Sequence, residues 1–248
     1  MSTTVTQIAK VNDKIEASRS FLEYLVRWQD ALGPIGMRAV VADAGGAENV
    51  AVITVDVIKG FAEKGALAGP RVAAIVSPIR RLLEDAHAAG VRSFVFMQDT
   101  HPADSPEFES WPAHCVEGTE EAEMVGELAS LPFAEAFTVF PKTSVDSAQG
   151  TALGAWLDAR PNLRAIIVVG DCTDICVFQL AMHLKVRHNV GRHGYRVIVP
   201  ADSVDTYDLP VPVAEEVGAM AHDGDLLHRV FLHQMALNGI QVVRAIDT

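Results

Sequence analysis

The sequence predicts an α/β fold: a doubly wound, mostly parallel sheet with helices on both faces. Three observations predict it. Short runs rich in β-branched and aromatic residues recur from residue 51 onward. These runs are apolar along their whole length instead of alternating with polar residues. Stretches of helical periodicity separate most of them. A strand that is apolar on both sides must be covered on both sides, and a parallel sheet flanked by helices meets that condition.

Taken in order, residues 17–32 (ASRSFLEYLVRWQDAL) place Phe21, Leu22, Leu25, Val26 and Trp28 near helical spacing, so an amphipathic helix is expected. The stretch Asp43-Ala44-Gly45-Gly46 reads as a linker. The expected organisation is therefore a helical extension over 1–48 and a main domain over 49–248. In that domain the strand runs are 51–57, 93–98, 136–140, 165–170, 195–201 and 240–245. Helical stretches are expected at 71–90, 120–131, 151–159, 174–189 and 225–238. In open parallel sheets, ligands bind at the carboxyl ends of the strands near the switch point.

Composition narrows the function. The chain has 248 residues, 49% hydrophobic and 21% charged, with a formal net charge of −12. Such an acidic surface repels phosphate backbones, so nucleic acid is not expected as a partner. No run of about 18 apolar residues predicts a membrane span. The N-terminal residues lack a basic patch followed by an apolar stretch, so no signal peptide is expected. Three cysteines are too few for a disulfide framework, and the expected location is a reducing cytoplasm.

The strand ends carry the chemistry. The first run ends at Asp56, the second at Asp99 with His101 following, the third at Pro141-Lys142, and the fourth at Gly170 with Cys176 one loop later. A parallel sheet brings an acid, a metal-ligand pair, a lysine and a thiol to one crevice. Each has an ordinary reading when alone: a turn former, a surface lysine, a small buried hydrophobe. Cys176 is expected in the first turn of its helix, where free N–H groups and the helix dipole favour a thiolate and can hold an oxyanion near Cys172 and Cys176. The segment 99–115 (DTHPADSPEFESWPAHC) holds Asp99, His101, Glu107 and His114, a mixed N/O set that suits zinc, iron or manganese. The alternative for that segment is an acidic loop with two satisfied histidines. His183, His188, His193, His222, His228 and His233 read as surface or packing residues.

These segments resemble those of the isochorismatase-like cysteine hydrolases, and within them the nicotinamidases. VDVIKGF resembles the segment carrying the catalytic Asp, here Asp56; FPKTSVDS the one carrying the catalytic Lys, here Lys142; GDCTDICV the nucleophile segment, here ending at Cys176. The D-x-H and W-P-x-H pieces resemble the nicotinamidase metal loop. The resemblance implies Asp99, His101 and His114 as ligands, with Glu107 completing the set. It implies a cis peptide at Asp171-Cys172, oxyanion N–H groups from Cys172 and Cys176, and aromatic walls at Phe61 and Trp111. It implies hydrolysis of nicotinamide to nicotinate and ammonia through a cysteine thioester, with one divalent transition metal, zinc foremost. The alternative is a sister amidohydrolase acting on a carbamoyl or maleamate-like amide. A small-molecule amide is the expected partner. A homo-oligomer is also expected, with residues 1–48 capping the domain or building an interface.

Overall fold

A computed structural model describes residues 2–248. The chain divides into two compact units that meet at Leu32/Gly33, earlier than the glycine-rich stretch suggested. The first is essentially one helix, α1 (Ser2–Asp30), longer than the periodic stretch at 17–32. The second opens with β1 (Ile35–Gly36) and α2 (Met37–Asp43), followed by β2 (Val50–Val55), α3 (Lys59–Ala62) and α4 (Pro70–Ala88). Next come β3 (Ser93–Asp99), α5 (Gly126–Ala129), β4 (Thr138–Lys142), α6 (Leu153–Asp158), β5 (Ala165–Asp171) and α7 (Cys176–Gly191). The chain closes with β6 (Arg196–Pro200), β7 (Val204–Asp205), α8 (Val211–Val217), α9 (Gly224–Leu237), β8 (Gln241–Val243) and β9 (Ile246–Asp247).

The main sheet has seven strands in the order β4-β3-β2-β5-β6-β8, with β7 pairing to β5, and its ladders are parallel. The order grows outward from β2 in one direction and from β5 in the other, so the switch point lies between these two strands. β2 and β5 are buried at every position, as runs apolar on both faces require. Along them burial divides with a period of two: Val50, Val52, Ala165, Ile167 and Val169 join a core with Val72, Ile75, Ile79 and Leu83 of α4. Those α4 positions recur at helical spacing. Burying a side chain such as Ile79 or Leu83 contributes about 1.5–3 kcal/mol.

The residues between the expected domains do not form a linker. Met37, Val40 and Ala44 lie in the core, and Ile35 pairs with Ile246. The helix expected at 120–131 is also not continuous. Lys59 Nζ takes Glu123 at 2.6 Å, Glu121 accepts from the Cys115 amide at 3.0 Å, and Met124 bridges Ile58. These long-range partners override the local helical preference, leaving a 3-10 turn at Glu120–Ala122 and the short α5. Gly170 is required at the switch point. Its φ is +117°, and a Cβ there would stand 1.9 Å from the Val55 carbonyl oxygen.

Candidate active site and metal centre

Asp56 follows β2 at the switch point, with φ +56°, a region costly for most residues and best tolerated by Asp and Asn. Register brings its neighbours alongside: Val55 pairs with Met97 and with Gly170, and Asp99 pairs with Lys142. Three parallel strands thus deliver Asp56, Asp99 and Lys142 to one point without any long loop. Cys176 is the first residue of α7, one short turn beyond β5, as its spacing predicted. The peptide between Asp171 and Cys172 is cis.

Lys142 is the hub. It is 1% exposed. Its Nζ lies 2.8 Å from Asp56 Oδ2 and 2.5 Å from Asp99 Oδ1, donates to the Ser144 carbonyl at 3.1 Å, and lies 3.7 Å from Cys176 Sγ. The Asp99 amide donates to Asp56 Oδ1 at 2.9 Å. Asp99 therefore belongs to the charge cluster around the thiol as well as to the histidine pair. The sequence assigned it only to the latter.

The electrostatics follow from burial. Desolvation, reinforced by Asp99, pushes the Asp56 carboxyl up to about 7, with Lys142 opposing. Burial would also raise Asp99, but Lys142, His101 and His114 outweigh it and hold it well below the usual carboxylate range. Burial works against the Lys142 ammonium, yet Asp56, Cys176 and Asp99 together hold it charged. The Cys176 thiol departs from expectation. Burial is the largest influence and raises its pKa, Lys142 lowers it, and Asp56 and Asp99 add to the rise. The first-turn position on α7 does not win against two nearby carboxylates in a dry site, so the resting sulfur keeps its proton. A carboxyl poised near neutrality beside a protonated thiol is an arrangement that can move that proton.

The metal-ligand candidates converge. Ligand atoms of Asp99, His101, Glu107 and His114 all lie within 4.8 Å of one another. Donors each about 2 Å from a shared tetrahedral ion stand about 3.3 Å apart, so these side chains would draw together on binding one. His114 Nδ1 lies 2.8 Å from the Pro112 carbonyl, which can only accept, so Nδ1 carries a hydrogen and Nε2 is the atom turned toward Asp99. His101 Nδ1 faces Ser105 Oγ at 3.3 Å, and its Nε2 is buried without a hydrogen-bond partner. Both Nε2 atoms stand near Asp99, at 3.5 and 3.8 Å. Two outward-braced imidazoles and two carboxylates fit a divalent metal. Phe108 packs against both rings, at centroid distances of 5.4 and 5.6 Å. Sequence reading missed Phe108 and Ser105; the Ser-Pro pair at 105–106, where Ser105 Oγ accepts from the Glu107 amide at 3.3 Å, was the available signal.

Of the expected aromatic walls, Phe61 lies against His114 at 5.6 Å, while Trp111 meets Tyr207 edge-on at 6.2 Å. His222 and His228, read as surface or packing residues, are buried and paired with Asp174 and Thr173 beside Cys176. His193 stacks on Tyr195 outside this region.

Known proteins resemble this chain in sequence and in fold. Residues 50–245 match the isochorismatase domain. Nicotinamidase 1 of Arabidopsis thaliana is 32% identical over 215 residues, covering 80% of this chain and 87% of that protein. A nicotinamidase/pyrazinamidase structure from Bacillus subtilis superposes with a TM-score of 0.63 at 27% identity, over 79% of this chain and 99% of the other. An N-carbamoylsarcosine amidase from Thermoplasma acidophilum gives a TM-score of 0.61 at 25% identity, over 79% and 96%.

Proposed function

We propose, for a chain that belongs to the isochorismatase domain family, hydrolysis of nicotinamide to nicotinate and ammonia. The observation that carries the reading is the Lys142 ammonium, 2.8 Å from Asp56, 3.7 Å from Cys176 and 2.5 Å from Asp99. It joins an acid and a thiol to the four-residue metal set. The similarity to a nicotinamidase over 80% of the chain supports the substrate.

Asp56 takes the proton of the Cys176 thiol, and Lys142 stabilises the resulting thiolate. The sulfur attacks the carboxamide carbon, and the N–H groups of Cys172 and Cys176 hold the oxyanion. Asp56 returns the proton to the departing ammonia, leaving a thioester on Cys176. Asp56 then activates the water that hydrolyses it. Asp99, His101, Glu107 and His114 would hold a divalent metal, which would supply a Lewis acid for the ring nitrogen. Zinc suits this mixed imidazole–carboxylate set best, with iron and manganese compatible. Phe61 and Trp111 flank the ring. A reducing cytoplasm, in which Cys115, Cys172 and Cys176 stay free, fits a thiol nucleophile. Residues 1–32, the first unit, serve to join copies into a homo-oligomer.

The test is ammonia release. Nicotinamide and pyrazinamide should turn over at least about tenfold faster than benzamide, which has the ring and amide but no ring nitrogen. Chelation should remove the activity and, on partial reloading, the preference should return with it. Equal rates for benzamide and nicotinamide would refute ring-nitrogen recognition. Release from a carbamoyl compound but from no pyridine amide would favour the second reading, to which the likeness to the carbamoylsarcosine amidase points.

A further inference from the structure

Asp174 lies two residues before Cys176, next to the start of α7, and Asp is a residue type that commonly caps helix N-termini. It does not do so here: α7 has no side-chain cap. Instead Asp174 Oδ2 faces His222 Nε2 at 2.8 Å, and its other oxygen, Oδ1, is buried without a hydrogen-bond partner. The Asp174 side chain is 7% exposed. A buried carboxylate with one partner depends heavily on that partner.

His222 is itself held on every side. Its Nδ1 lies 2.9 Å from the Tyr207 carbonyl. Its backbone exchanges two hydrogen bonds with Leu209, at 2.8 and 2.9 Å. Its ring stacks on Tyr207 at 3.8 Å and 18°, and Tyr207 meets Trp111 edge-on. A rigid imidazole thus reaches from the 207–209 segment to the loop that carries both Cys172 and Cys176.

We propose that His222 is a positioning residue for the nucleophile loop. It holds the Asp174 carboxylate away from the Cys176 amide, which leaves that amide for the oxyanion, and it fixes the backbone that aims Cys176. Without the imidazole, Asp174 turns toward the Cys176 amide at its own helix start, since the Val177 amide already donates to the Cys172 carbonyl at 3.1 Å. The loop then loses the geometry on which attack depends. The inference rests on Cys176 as nucleophile, not on the identity of the amide.

The experiment compares His222→Ala, His222→Gln, Asp174→Ala and the Asp174→Ala/His222→Ala double variant in the full-length, metal-loaded enzyme. Two readouts are taken: kcat and KM for nicotinamide, and the rate at which iodoacetamide inactivates the enzyme by modifying Cys176. Iodoacetamide needs no amide substrate, so a wrong substrate assignment leaves that readout intact. His222→Ala should lower kcat and slow inactivation by about tenfold to a hundredfold with little change in KM. His222→Gln keeps a donor at the Nε2 position and should recover most of both. The double variant should be no worse than His222→Ala alone, because the two side chains act as a unit. Wild-type kcat and inactivation in His222→Ala would overturn the proposal. So would a glutamine variant as impaired as alanine, or losses that add in the double variant. Where His222→Ala does not fold, His222→Gln against Asp174→Ala decides by the same two readouts.

Discussion

Replacing Lys142 by Met tests the electrostatic core of the site most directly. The side chain is 1% exposed and touches Asp56 at 2.8 Å and Asp99 at 2.5 Å. Met fills a similar volume, so packing is nearly conserved and charge is what changes. Removing one partner of a buried ion pair costs about 3–5 kcal/mol, because the remaining charge is neither solvated nor paired. Asp56, already raised to about 7, takes up a proton and softens part of the loss, which places the effect near 3 kcal/mol. For a chain of this size each kcal/mol moves the melting temperature by about 2–4 °C, so a fall of roughly 10 °C is expected. Thermal unfolding followed by circular dichroism measures it. The fall should be larger after chelation, since a bound divalent ion and Lys142 both neutralise Asp99. Ammonia release should drop by about 10²–10⁴ at the same time. A melting temperature within about 2 °C of wild type, with and without metal, would refute the view that Lys142 holds two buried carboxylates together.

Four further perturbations probe other links. Cys176→Ala should abolish ammonia release while melting close to wild type, since a small apolar residue fits a site 8% exposed; residual turnover would move the nucleophile elsewhere. Gly170→Ala forces a Cβ to within 1.9 Å of the Val55 carbonyl oxygen at a φ of +117°, and should cost more than about 3 kcal/mol. Gly154→Ala, inside α6 with nothing within 4 Å of the new Cβ, should instead stabilise by about 0.5–1 kcal/mol, and urea unfolding separates the two. His228 is held below its ordinary pKa, chiefly by burial, with Arg71 adding and Asp205 opposing. Its unfolded form therefore binds a proton first as pH falls through about 6.5, which favours unfolding. The stability of wild type relative to His228→Gln should decline between pH 7.5 and 5.5, and a pH-independent difference would contradict the assignment.

The sequence by itself determined the class of fold, because strands apolar on both faces have only one economical cover: helices on each side of a parallel sheet. It also indicated which residues stand at the strand ends, since Asp56, Asp99 and Lys142 close local runs and Cys176 follows one loop later. Tertiary structure alone decided how those groups share charge. That Asp99 meets Lys142 as well as the histidines, and that the Cys176 thiol stays protonated, follow from sums over burial and neighbouring charges that no local pattern carries. The same holds for residues 33–48, drawn into the core by Met37 and Val40, and for residues 120–131, unwound by contacts with Lys59 and Cys115. Periodicity reports which face of an element is apolar; it does not report what lies opposite. Asp174 and His222, far apart in sequence, meet because β5 and the segment after β7 end side by side, and a buried carboxylate there must find a donor.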